Sequence, residues 1–306
     1  MNIVIPDDYQ DVVRHLDAFA KLAGHDVTIY NDTVTDLDEL ARRFEHADAL
    51  VLIRERTQIT DALLARLPRL KTIAQTGRGT THIDVDAAER RGVRITTGSG
   101  SPIAPAELTW ALIMAAMRHI PDEVAGLRNG RWQSTPLGRV LRGRTLGIWG
   151  YGKIGAIIAS YGRAFGMRVL PWGREGSLAR ASSDGFVTAT SREQLFAESD
   201  VLSLHLKLSK ETRGIVTRDD LARMKPDALF VNTSRAELIE GDALLDALHA
   251  GRPGFAAIDV FEHEPAIDDP LLALPNVIAT PHLGYVEKDS YELYFGEAFA
   301  AIIALS

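Results

Sequence analysis

Cysteine is absent from all 306 residues. That excludes disulfides, thiolate nucleophiles and Cys-ligated zinc, and it agrees with a reducing compartment. A basic surplus is missing too. The 34 Lys and Arg residues face 41 Asp and Glu, a formal net charge of −7, the wrong sign for a chain that must neutralise a phosphate backbone, so nucleic acid is not expected as a partner. No stretch reaches 18 consecutive apolar residues, and Met1-Asn2-Ile3-Val4-Ile5-Pro6-Asp7-Asp8 carries neither a basic nor an apolar leader. A membrane span or secretion signal is therefore not expected, and a cytoplasmic location is. Internal repeats and Pro/Ser-rich linkers are also lacking. What is present, 46% hydrophobic and 25% charged residues, suits a globular chain long enough for two domains.

Short apolar, β-branched runs alternate with helical periodicity, the pattern of strand-helix-strand units, so the fold class is α/β with two doubly wound parallel sheets. The first series places strands at 3–5, 27–30, 49–53, 72–74 and 93–95, with amphipathic helices between them. The second places strands at 144–149, 168–172, 201–204, 228–231, 255–258 and 277–279. Between the series, 104–117 reads as an apolar helix, too short to span a bilayer and suited to a buried crossover or a subunit contact. The residues from Tyr285 onward read as helix again and follow the last strand of the second series, so the chain is expected to cross twice between domains. Helical character persists to Ser306, and a few further residues are expected beyond it.

Directly after the strand ending at Trp149 comes Gly150-Tyr151-Gly152-Lys153-Ile154-Gly155, followed by a helical run. Strand, glycines and helix in this register form a dinucleotide fingerprint: a tight turn, close approach of a pyrophosphate, and phosphates at a helix amino terminus. The next strand tip decides between cofactors, because a carboxylate there accepts hydrogen bonds from the ribose 2′-hydroxyl of NAD. It reads Leu170-Pro171-Trp172-Gly173-Arg174-Glu175. Gly173 stands where the acid is expected and Arg174 suits a 2′-phosphate, which favours NADP; in the alternative, Glu175 takes the acidic role and the cofactor is NAD.

Three polar residues follow successive strands of the second series: Arg235 after Val231-Asn232-Thr233-Ser234, Glu264 after Asp259-Val260-Phe261-Glu262-His263, and His282 after Thr280-Pro281. A guanidinium can grip a carboxylate through two parallel hydrogen bonds, and an imidazole paired with a carboxylate can give or take a proton near neutrality. Together they suit a 2-oxo or 2-hydroxy acid. His15, His25, His46, His119 and His249 are scattered on helices or turns without a metal-ligand spacing, and no metal site is expected.

The glycine run, Asn232-Thr233-Ser234-Arg235, Asp259-Val260-Phe261-Glu262-His263-Glu264-Pro265 and Thr280-Pro281-His282-Leu283-Gly284 resemble the motifs of the D-isomer-specific 2-hydroxyacid dehydrogenases over nearly the whole chain. The resemblance implies a Rossmann cofactor domain, 99–284, inserted into a split flavodoxin-like substrate domain, 1–98 plus 285–306. It implies hydride transfer between NADP or NAD and C2 of the acid, with D configuration and glyoxylate- or hydroxypyruvate-type substrates. Arg235, Glu264 and His282 are then catalytic, and His205 and Thr233 join the glycine run, Gly173 and Arg174 around the cofactor. Asp259 matches the residue that holds the nicotinamide carboxamide, although an Asp accepting backbone bonds at a strand end would look the same. A homodimer through the surface near 104–132 is implied as well.

Departures bear on the substrate. In relatives, a glycine loop offers N–H groups to the substrate carboxylate; here it reads Gly77-Arg78-Gly79-Thr80-Thr81-His82-Ile83-Asp84, and Gly77 and Gly79 keep its geometry. Arg78 adds a charge that either engages a second anionic group or faces solvent. Arg54-Glu55-Arg56-Thr57 reads as a self-paired charge cluster, with Arg54 a candidate substrate ligand in the other reading. Lys207 replaces a proline and Ala236 a glycine of relatives, and neither change removes a catalytic group. Formate dehydrogenases share the architecture but carry Gln where Glu264 stands. A non-catalytic, nucleotide-sensing corepressor on the same fold is the remaining alternative.

Overall fold

The structure is a computed structural model describing residues 1–305. The chain divides into two compact units, Met1–Ser101 with the segment from Val286 onward, and Pro102–Tyr285. In the first, β1 (Asn2–Ile5), β2 (Asp26–Ile29), β3 (Ala49–Leu52), β4 (Thr72–Gln75) and β5 (Arg94–Thr97) form one parallel sheet in the order β2-β1-β3-β4-β5. The order reverses between β1 and β3, and sheets of this kind bind ligands beyond the carboxyl ends of the strands at that point. Helices α1 (Leu37–Phe44), α2 (Asp61–Leu64) and α3 (Val85–Arg90) each start where a side chain caps them: Asp36, Thr60 and Asp84 accept the N–H three residues on. Leu40, Phe44, Leu50, Leu63 and Ile73 are buried together beneath them.

The helix expected between β1 and β2 does not form. Two short 3-10 turns, Val13–His15 and Asp17–Leu22, take its place. Acceptors from elsewhere explain this. The Asp8 carboxylate takes the N–H groups of Val12 and Val13, and the Glu292 carboxylate takes those of Asp17 and Ala18. Each turn is thus stabilised by side chains rather than by propagation of one helix.

The second unit opens with α4 (Ile103–Met117) and α5 (Ile120–Arg128), separated at His119, whose φ is +51°. β6 (Thr145–Trp149), α6 (Lys153–Ala164), β7 (Arg168–Trp172), α7 (Glu175–Ser183), α8 (Arg192–Glu198), β8 (Val201–Leu204), α9 (Arg218–Ala222), β9 (Leu229–Asn232), α10 (Ala243–His249), β10 (Phe255–Ile258) and β11 (Val277–Ala279) follow. Their strands are parallel in the order β11-β10-β9-β8-β6-β7. Successive side chains serve opposite faces. Leu146 and Ile148 of β6 and Leu229 and Val231 of β9 pack with Ile113 and Ile158 on one side, whereas Trp149 and Phe230 pack with Phe196 and Leu244 on the other. Covered on both faces, the strands read as unbroken apolar runs. Beyond β7 the chain returns along the sheet edge but donates a single bond, Ala189 N–H to the Pro171 carbonyl at 2.9 Å, and no further strand forms there.

The last helix, α11 (Lys288–Ile303), starts three residues later than its sequence suggests, because Glu287 caps the N–H groups of Asp289 and Ser290. It belongs to the first unit, where Phe299 meets Phe19 edge to face at 6.2 Å. Among the described residues, no helix is long and apolar enough to cross a membrane.

Candidate active site

Strand β6 ends at Trp149, and the chain turns at Gly150, φ +104°, into α6. A Cβ on Gly150 would stand 2.3 Å from the His205 carbonyl oxygen, and one on Gly155 would stand 2.2 Å from the Gly150 carbonyl oxygen. Backbone packing therefore demands both glycines. Gly152 is different: a Cβ there meets no atom within 4 Å. The chain's own packing does not require that glycine, and its open side is what a pyrophosphate needs to reach the N–H groups opening α6. Lys153 is exposed and Ile154 half-buried. Tyr151 offers only its backbone to this loop. Its ring is buried, its hydroxyl donates to Asp184 Oδ2 at 2.7 Å, and burial pushes the phenol up to about 12.

At the tip of β7, a Cβ on Gly173 would lie 3.9 Å from Gly150 Cα, whereas Glu175 is already the first residue of α7 and Arg174 its exposed N-cap. The residue beside the glycine turn is thus Gly173. Glu211, whose carboxyl is held low chiefly by a hydrogen bond from Ser209, also feels the Arg174 charge. His205 backs the same turn: its N–H donates to the Trp149 carbonyl at 2.8 Å, and its Nε2 lies 2.9 Å from Ser203 Oγ. Burial pushes its imidazole down to about 4, so it is neutral near pH 7.

The turn after β9 is tied at every residue. Asn232 Oδ1 accepts the Ser234 N–H at 3.0 Å, and its Nδ2 donates to the Arg235 carbonyl at 2.8 Å. Ser234 Oγ donates to the Leu204 carbonyl at 2.7 Å, and Thr233 Oγ1 lies 2.7 Å from Thr109 Oγ1 on α4. Half-buried Arg235 emerges from this frame, with Nη1 donating to the Ser234 carbonyl at 2.7 Å.

Asp259, just past β10, is wholly buried. Thr280 Oγ1 at 2.6 Å and Leu283 N–H at 2.7 Å both donate to its Oδ1, and Gly284 N–H donates to Oδ2 at 2.8 Å. Burial pushes this carboxyl up, and those donors oppose the shift. Of the two readings of Asp259, its observed contacts are those of the strand-end clamp: it holds both sides of His282, whose φ is +51°. So held, His282 sets Nδ1 2.7 Å from Glu264 Oε2, while Glu264 Oε1 accepts the Phe261 N–H at 3.1 Å. A carboxylate partner assigns the proton to Nδ1 and leaves Nε2 as the ring atom open to a reacting group. The Tyr285 ring stands edge to face with His282 at 5.4 Å, a neighbour that nothing in the sequence singles out. Arg235, Glu264 and His282 thus follow three adjacent strands at their carboxyl ends.

In the first unit, β4 runs into Gly77, φ +96°, and the charged turn after β3 lies directly on that loop. A Cβ on Gly77 would stand 2.0 Å from Arg54 Nη1, and one on Gly79 2.2 Å from Glu55 Oε1. Arg54 Nε and Glu55 Oε2 are 3.8 Å apart; Arg56 Nη1 donates to the Asp7 carbonyl at 2.6 Å and its guanidinium stacks 4.3 Å over Tyr9. Arg78 is exposed. The same loop carries His82, 4% exposed, and neither ring nitrogen has a hydrogen-bond partner. Among the described residues no group of three His, Asp or Glu could hold a metal ion.

Residues 110–284, more than half of the chain, match the family described as D-isomer specific 2-hydroxyacid dehydrogenase, NAD binding domain. Hydroxypyruvate reductase of Thermotoga maritima is 38% identical over 253 residues, covering 81% of each chain. D-3-phosphoglycerate dehydrogenase of Bacillus subtilis is 37% identical over 266 residues, 86% of this chain and 50% of that protein. The chain thus spans about half the length of the curated phosphoglycerate dehydrogenases it matches. Among solved structures, phosphoglycerate oxidoreductase from Vibrio cholerae is similar with a TM-score of 0.98 and 56% identity, over 100% of this chain and 98% of that one. The D-lactate dehydrogenase of Aquifex aeolicus, solved with NAD and lactic acid, gives 0.78 and 28%, over 99% and 95%. The chain belongs to the D-isomer specific 2-hydroxyacid dehydrogenase family.

Proposed function

We propose that this protein is an NAD(P)-dependent reductase of small 2-oxo acids, of the glyoxylate or hydroxypyruvate type, giving the D-2-hydroxy acid. The observation that carries this reading is the 2.7 Å contact between His282 Nδ1 and Glu264 Oε2, in the loops that follow the two strands next to the one that leads to Arg235. An acid with a fixed proton partner, beside a guanidinium that can grip a carboxylate, is what carbonyl reduction requires. Gly150, Gly152 and Gly155, with Gly173, Arg174, His205 and Thr233, would hold the cofactor, whose nicotinamide when bound supplies hydride to C2. Arg235 binds the carboxylate and polarises the carbonyl, His282 Nε2 protonates the forming alkoxide, and Glu264 keeps the ring oriented. Asp259 acts on this site by holding the His282 turn. In the first unit, Gly77 and Gly79 would offer backbone N–H groups to an anionic group, with Arg54 and Arg78 as neighbouring cations.

We propose a homodimer through the surface near 104–132, where Ile120, Val124, Leu127 and Trp132 are exposed. A cytoplasmic location suits a chain without cysteine.

Initial rates with glyoxylate, hydroxypyruvate and formate, and in the reverse direction D-3-phosphoglycerate, with NADPH and NADH in turn, test the reading. Turnover of none of them, or of formate alone, would refute it.

For the cofactor we favour NADPH, because Gly173 leaves the strand tip without a carboxylate and Arg174 stands next to it. Arg174→Ala is expected to weaken NADPH selectively, by about 1–3 kcal/mol, the scale of a charge-assisted hydrogen bond to phosphate. Fluorescence titration of both cofactors reads this. Equal losses would show that Arg174 never meets a 2′-phosphate, and a wild type that prefers NADH would overturn the assignment outright.

A further inference from the structure

Between Gly150 and Gly152, Tyr151 alone has a side chain by which the turn can be held, and α7 holds this residue twice. Arg180 Nη2 donates to the Tyr151 carbonyl at 2.9 Å, and the Tyr151 hydroxyl donates at 2.7 Å to Oδ2 of Asp184, the C-cap of α7. The ring is 2% exposed and meets Phe186 edge to face at 5.9 Å. Helix α6 closes the figure. Its Arg163 donates to the Asp184 carbonyl at 2.7 Å and lays its guanidinium 3.8 Å over the Phe186 ring. Glycine has the widest backbone freedom of any residue, so a turn with glycine on both sides of Tyr151 is costly to order. A peptide unit is planar, and the Arg180 bond to the Tyr151 carbonyl therefore also fixes the direction of the Gly152 N–H, which donates to the Gly150 carbonyl at 2.9 Å. The chain then enters α6 directly, with Gly152 as its N-cap. The one buried residue of α7 is Ala181, so polar ties to Tyr151 and Arg163, more than apolar packing, hold this helix and the turn to each other.

We infer that Tyr151, Arg180 and Asp184 are positioning residues for the cofactor: they brace the Gly150–Gly152 turn, so that the N–H groups opening α6 are aimed before a pyrophosphate arrives. This rests on the proposed role of the glycine run in holding NAD(P), and it adds residues beyond those that would touch the cofactor. Helix α7 then serves the cofactor from both ends, since its N-cap is Arg174. The two ends have separable effects. Arg174 would meet a phosphate that only NADP carries, whereas the brace acts on the pyrophosphate common to both dinucleotides.

The test measures binding of NADPH, NADH and ADP-ribose to the full chain by calorimetry, with steady-state kinetics at saturating 2-oxo acid. Tyr151→Phe and Asp184→Ala are each expected to weaken all three ligands by about three- to tenfold, the scale of one net hydrogen bond, raising the cofactor KM without lowering kcat. The double variant should bind no more weakly than either single one, because both remove the same bond. Asp184→Asn, whose amide oxygen still accepts from the hydroxyl, should bind nearly as wild type. Arg180→Met should weaken NADPH and NADH by equal factors, unlike Arg174→Ala, and Arg180→Lys should recover part of that loss. Thermal unfolding checks that each variant is folded, and should Arg180→Met not fold, the Tyr151 and Asp184 variants decide. Unchanged affinities in folded Tyr151→Phe and Asp184→Ala overturn the inference while the cofactor reading stands. A loss confined to NADPH overturns it too, by placing these groups at the 2′-phosphate, and so does an additive loss in the double variant. A wild type that binds neither dinucleotide nor ADP-ribose refutes the cofactor reading itself, and the brace with it.

Discussion

Arg235→Lys is expected to lower kcat/KM by about 100-fold, roughly 3 kcal/mol, although the charge is kept. The cause is geometric. A guanidinium offers a planar fork to the two oxygens of a carboxylate, and here that fork is delivered by a turn whose Asn232, Thr233 and Ser234 side chains are all hydrogen-bonded, so the head group is aimed before substrate arrives. Lysine on the same frame presents a point charge on a flexible stem. It can attract the acid but cannot fix the carbonyl relative to the hydride donor, so kcat should fall along with affinity. Steady-state kinetics on the best substrate, with circular dichroism to confirm folding, measures this. Near wild-type kcat and KM in the lysine variant would mean that Arg235 does not bind the carboxylate.

The parts of this design that were legible in the sequence are those written in adjacent residues. Parallel strands covered on both faces must be continuous apolar runs, so β6, β8 and β9 stand out, and a glycine turn between a strand and a helix is diagnostic because backbone contacts forbid a Cβ at Gly150 and Gly155. Contacts between distant residues were not legible. The expected helix before β2 fails because Glu292 supplies acceptors to Asp17 and Ala18, and no local propensity encodes a partner so far along the chain. Asp259 at a strand end looks the same whether it faces a ligand or clamps a turn; only the donors Thr280, Leu283 and Gly284 distinguish the two. Glu55 reads from sequence as one member of a charge cluster. Its position on Gly79 depends on β3 and β4 being neighbours, and His82 becomes conspicuous only when its burial and its lack of partners are known together.

His282→Ala is expected to reduce the rate of 2-oxo acid reduction by roughly 100- to 10,000-fold at every pH, the range supplied by a positioned proton donor. Glu264→Gln should behave differently, since an amide oxygen can still accept the Nδ1 proton at the position of Oε2 but carries no charge. Orientation of the ring then survives and only the charge is lost, so the rate of reduction should stay within about tenfold of wild type, far above that of His282→Ala. Glu264→Ala, which leaves Nδ1 without its acceptor, should fall further than Glu264→Gln. Turnover must be limited by hydride transfer for these rates to report on the pair, and a deuterium isotope effect with labelled cofactor checks that for each variant. Two results would break the proposed division of labour. One is a Glu264→Gln variant as slow as His282→Ala. The other is a His282→Ala variant with only a small loss of rate, which would mean that the proton comes from another group.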